Sequence, residues 1–107
     1  MCLERHFRQI RQITMPHSRH TDRRDDNEPE ITAELRRRGL EYRSMPRGVG
    51  FELLVFCPGG LVPVEVKNPA RRWEYTESEN AARILCHALG INYVVVFRAA
   101  DCDEIRP

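Results

Sequence analysis

Two apolar runs joined by a short turn signal constrain this chain more than any other feature. Residues 50 to 69 read GFELLVFCPGGLVPVEVKNP. FELLVFC and LVPVEVK are rich in β-branched and aromatic residues, and PGG between them tolerates a tight reversal, so the pattern predicts a β-hairpin. Both runs are apolar on both faces, which predicts strands covered on two sides. A charge in such a strand is costly unless it has a partner. Glu52, Glu65 and Lys67 nevertheless lie there, and Lys67 is the only lysine among 17 basic residues.

The rest of the chain supplies the elements that would flank this hairpin. With 107 residues there is material for one core. DDNEPEITAELRRRG predicts a short amphipathic helix in which Asn27 can cap, Pro29 suits the first turn, Ile31 and Leu35 lie four apart, and Gly39 ends the run. LEYRSM reads as a strand closed by PRGVG. TESENAARILCHALG predicts a second helix with Ala81, Ile84, Leu85, Ala88 and Leu89 as its inner stripe and Gly90 as its stop. INYVVVF then reads as a buried strand. A strand, helix, strand succession implies a crossover to a parallel neighbour. The expected fold is therefore a single α/β domain over residues 25–107, with a mixed sheet flanked by helices. Residues 1–24 are rich in Arg and His without sustained periodicity and read as a flexible basic arm, with Met15 as a second plausible start.

Charge and cysteine usage exclude little but guide the rest. Against 17 basic residues stand 16 acidic ones, so no overall field selects nucleic acid or any other partner. The basic excess is amino-terminal, with 11 basic against 8 acidic residues in positions 1–50, and it is carried by arginine, the better bidentate partner for phosphate. No apolar run approaches the roughly 18 residues that span a bilayer, and the first twenty residues are too charged for a secretory signal. The expectation is a soluble, cytoplasmic protein with no membrane partner. Cys2, Cys57, Cys86 and Cys102 have no C-x-x-C spacing and read as plain thiols. His87 falls near the end of its helix and is given no catalytic role.

The three charges of the hairpin can converge. Side chains alternate along a strand, so Glu65 and Lys67 share a face. An even turn, for example Gly59-Gly60, sets Glu52 opposite Lys67 and diagonal to Glu65; an odd turn points Glu52 the other way unless a bulge corrects it. Two carboxylates held close together need a shared cation or proton, and hard oxygen ligands favour magnesium or manganese. A lysine beside them could orient water or stabilise charge on a phosphate. The alternative is a cross-strand Glu52–Lys67 ion pair with Glu65 reaching solvent.

Glu30, GFELLVF, EVKNP and YTESENAARILCHALG, taken in that order, resemble the small virus-type replication-repair nuclease domain (VRR-NUC), a branch of the PD-(D/E)xK nucleases. The resemblance runs from about Asp25 to Phe97. It implies a restriction-endonuclease-like fold and a metal-dependent DNA nuclease using Mg2+ or Mn2+. Glu52 would stand for the family's metal-binding aspartate, Glu65 for the second carboxylate, Lys67 for the catalytic lysine, Glu30 for the first-helix acid and Glu79 for the polar residue of the following helix. The metal would be held at Glu52, Glu65 and Val66. Small nucleases of this resemblance are often dimeric, which implies a homodimer.

This chain reads GFELLV where the family reads GFPDLLV, so the proline is missing and a longer carboxylate replaces the aspartate. A second reading follows: a catalytically impaired module that binds nucleic acid or a protein partner. Glu79 and Glu30 also have capping readings, since Thr76-x-x-Glu79 matches a capping box and Asn27-x-x-Glu30 resembles one. Arg71, Arg72 and Trp73 follow the site strand directly and suit phosphate contact and base stacking, or else form an ordinary surface loop.

Overall fold

The hairpin forms, and its turn sits one residue earlier than the example above. In the computed structural model, which describes residues 27–107, strand β2 spans Leu53–Cys57 and β3 spans Gly60–Val66. They pair antiparallel with Cys57 opposite Gly60, so Pro58 and Gly59 make a two-residue turn. Pro fixes a negative φ at the first central position and Gly59 takes φ +92° at the second, the combination a type II turn requires. An even turn preserves the facing of Glu52, but the register moves by two residues. One step beyond the Leu53–Val64 pair, Glu52 is set toward Glu65 rather than Lys67. The ladder also loses regularity there, because the Glu52 N–H donates to the Val64 carbonyl at 3.0 Å.

Two further strands complete a sheet in the order β1-β2-β3-β4. Strand β1, Glu41–Ser44, pairs antiparallel with β2, and β4, Val94–Val96, pairs parallel with β3. Helix α1, Glu28–Arg37, precedes the sheet, and α2, Glu77–Ala88, lies in the β3–β4 connection. The architecture is thus a single small α/β domain with a mixed sheet, as the change of period along the chain predicts. A 3-10 helix, Ala99–Glu104, follows β4 and has no counterpart in the sequence expectation.

One face of the sheet carries the core. Leu53, Val55, Val62, Val64, Val66, Val94 and Val96 point into it, and Ile31 and Leu35 of α1 meet them four residues apart. Cys102 and Ile105 close the same core from beyond β4. Helix α1 ends where Gly39 takes φ +74°, with Gly39 N–H on Arg36 O and Leu40 N–H on Leu35 O, both 2.9 Å, a Schellman motif. Arg38 joins it to the 3-10 helix through Asp103 at 2.7 Å.

The second face departs from expectation. Phe56 and Leu61 are exposed there, so β2 and β3 are not covered on both sides along their whole length. Helix α2 also presents the opposite side from the one its sequence pattern suggests. Ile84, Leu85 and Leu89 are exposed, as are Ala81 and Ala88, while Cys86 is the buried residue of the helix. The reason is a close approach at Gly50: a Cβ there would lie 2.5 Å from Ala82 Cβ and 2.5 Å from Ser78 O. Glycine lets the backbone meet the helix along its Ser78–Ala82 side, and that contact sets the rotation.

Candidate active site

Glu65 and Lys67 share a face of β3 and its continuation, and α2 brings Glu79 against them. Lys67 Nζ lies 2.8 Å from Glu79 Oε1 and 3.4 Å from Glu65 Oε2. All three side chains are largely shielded, with Glu65 only 4% exposed. Glu79 Oε1 also accepts the Thr76 N–H at 3.0 Å while Thr76 Oγ1 accepts the Glu79 N–H, so the capping box is present. The capping reading and the site reading of Glu79 therefore hold together: one oxygen starts the helix and grips the lysine.

Electrostatics follow from this enclosure. Burial pushes the Glu65 carboxyl up to about 8, the hydrogen-bonded and charged Glu79 adds to the rise, Lys67 opposes it, and the nearby charge of Glu52 adds again. Glu65 therefore holds a proton at neutral pH. Burial disfavours the charge of Lys67, but Glu79 and Glu65 outweigh it and raise the lysine above its ordinary value. Burial likewise opposes ionisation of Glu79, yet Lys67 and the Thr76 N–H hold it below the usual carboxylate range. Glu79 and Lys67 are thus an ion pair beside a neutral acid.

Other expected residues separate from this cluster. Glu30 makes no hydrogen bond or ion pair with Lys67, Glu65 or Glu79; its Oε2 accepts the Ala99 N–H at 2.8 Å and starts the 3-10 helix. Asn27 does not cap α1 through its side chain. Instead its Nδ2 donates to Lys67 O at 2.8 Å and Phe97 O at 2.7 Å, tying the ends of two parallel strands beside the lysine. The capping-box reading of Asn27 and Glu30 is therefore replaced by three long-range hydrogen bonds. Val66 is a core residue whose neighbours in sequence carry the charges.

Arg71, Arg72 and Trp73 are exposed on the loop that leaves Lys67, turned by Ala70 N–H on Asn68 Oδ1 at 2.9 Å. The Trp73 ring meets Tyr75 and Phe97 edge-on, each at 5.3 Å between centroids, and the Arg83 guanidinium lies 4.7 Å over Tyr75. Tyr93 was missed in the sequence. Its hydroxyl donates to Gly50 O at 2.7 Å, and burial, then the charges of Glu65 and Glu79, raise its pKa, which sets it beside the cluster.

Among the described residues, no group of three or more His, Cys, Asp or Glu side chains is disposed to hold a metal ion. The three cysteines described are free thiols. No described helix is long and apolar enough to cross a membrane. No family model matches the chain, and neither a curated protein nor a solved structure matches it. Residues 1–24, with the expected arm and the second start at Met15, lie outside the described residues.

Proposed function

We propose that the Glu65, Lys67, Glu79 and Glu52 cluster is the site of a divalent-metal-dependent phosphodiesterase acting on DNA, of the VRR-NUC type that the sequence motifs resemble. The supporting observation is a buried, protonated carboxyl, Glu65, two residues from a lysine gripped by the first turn of α2, with a further carboxylate, Glu52, one residue before β2; an ion bound there would displace the Glu65 proton. Carboxylate oxygens are the donors that Mg2+ and Mn2+ prefer, and Glu52, Glu65 and Val66 would hold the ion. The ion would supply charge against the scissile phosphate and acidify a water. Glu79 fixes the lysine, and Lys67 lends its charge to the phosphate oxygens. The exposed Arg71, Arg72 and Trp73 supply phosphate and base-stacking contacts next to that lysine.

The test is cleavage of plasmid and branched DNA with added manganese or magnesium, against the same reactions with chelator. Metal-dependent nicking that Glu65→Gln removes is the expected result. Glu65→Gln should also remove the rise in melting temperature that manganese gives to the wild type. A second reading has its own observation: the Lys67 ammonium already neutralises Glu79 and contacts Glu65 without a metal. In that case the domain binds DNA without cutting it. DNA retention at low salt, with no manganese-induced melting shift and no cleavage, would select this reading.

A further inference from the structure

We infer that Tyr93 is a positioning residue of the cluster: its hydroxyl fixes the Gly50 carbonyl, and with it the segment that carries Glu52 toward Glu65. Residues 50 to 52 belong to no strand or helix, since β2 begins at Leu53. They are held from outside. The Glu52 N–H donates to Val64 O at 3.0 Å and the Glu52 carbonyl accepts the Met45 N–H at 2.9 Å, so the backbone is fixed at Glu52 itself. Its approach is fixed by Tyr93. The phenol donates to Gly50 O at 2.7 Å, and Gly50, at φ +103°, has no side chain to restrict it.

The same carbonyl group belongs to the residue on which α2 is seated. Ala82 and Ser78 pack where a Cβ on Gly50 would otherwise lie, and Glu79, next to Ser78, grips Lys67 at 2.8 Å. One hydroxyl thus bears on two carboxylates, Glu52 along the chain and Glu79 across the helix seat. The Tyr93 ring is itself located by edge-on contacts with Phe51 and Tyr75, at 6.5 and 6.4 Å between centroids. Phenylalanine would keep both ring contacts and lose only the hydrogen bond. The role presupposes that the cluster takes a divalent ion, as proposed for its function, and Tyr93 acts on that ion only through Gly50 and Glu52. Removing a support of a metal ligand typically weakens metal affinity or activity by about 10-fold to 100-fold.

Manganese binding to the full chain, read from the paramagnetic resonance of free Mn2+, tests this beside the cleavage kinetics. Tyr42→Phe is the control, because it removes a phenol that accepts from Arg36 at 2.7 Å on the core side of β1. Tyr93→Phe should weaken manganese affinity about 10-fold or more and lower kcat at fixed manganese, with KM for DNA unchanged. Excess manganese should restore much of that kcat. Tyr42→Phe should leave manganese affinity and kcat as they are, and both variants should melt cooperatively. Wild-type affinity in Tyr93→Phe, or equal weakening in Tyr42→Phe, overturns the role of Tyr93 and leaves the nuclease reading standing. Loss of the cooperative melt in Tyr93→Phe also overturns it, because the bond would then serve the fold alone. A wild type that binds no manganese overturns both.

Discussion

The protonated Glu65 makes stability fall as pH rises, and Glu65→Gln should remove that fall. The folded state holds this carboxyl near 8 whereas the ordinary carboxylate value is 4.5. Below the lower value both folded and unfolded chains carry the proton, so the group contributes its full stability there. Between the two values only the folded chain holds it, so stability declines by about 1.4 kcal/mol per pH unit. From about pH 5.5 to about pH 7.5 the loss is about 3 kcal/mol, or roughly 10 to 20 °C of melting temperature for a domain this size. Glutamine keeps the shape and can still donate to Glu79, but it has no proton to lose. Melting temperatures of wild type and Glu65→Gln should therefore converge near about pH 5 and separate by about pH 7.5, the variant being the more stable. The lowered Glu79 pKa acts in the opposite sense and at lower pH, where it costs stability as that group is protonated. Parallel pH profiles for the two proteins would refute the argument, because they would place Glu65 ionised in the folded state.

Other substitutions probe the supports of the same cluster. Lys67→Met removes the counter-charge from a shielded Glu79 and should cost about 2 kcal/mol or more by urea titration, with cleavage lost and much of the manganese melting shift retained. Gly50→Ala meets both a φ of +103° and contacts at 2.5 Å, and should cost about 3 kcal/mol or more, against about 1 kcal/mol for Gly39→Ala, whose added Cβ meets nothing within 4 Å. Equal costs at the two glycines would show that conformation alone matters. Asn27→Ala strips hydrogen bonds from the Lys67 and Phe97 carbonyls and should lower stability by about 2 kcal/mol in the same titration.

Local chemistry determined what the sequence could disclose by itself. A turn within PGG, the end of α1 at Gly39, the Thr76–Glu79 capping box and the burial of Ile31 and Leu35 on one side of α1 are each settled within a few residues, by φ preference, capping or period, whereas the register that seats the turn at Pro58-Gly59 is not. The shared face of Glu65 and Lys67 was equally legible, because alternation along a strand needs no partner. Tertiary structure alone decided the rest. Asn27 looked like a cap, yet its amide reaches carbonyls 40 and 70 residues away; Glu30 looked like a site acid, yet it anchors Ala99, 69 residues on. The apolar stripe of α2 pointed inward by period and outward in fact, since the seat at Gly50 lies on a loop that no helical pattern can anticipate. Where a side chain's partner is near in sequence, propensity and geometry name it; where the partner arrives by folding, the same donor or stripe fits several partners, and packing makes the choice.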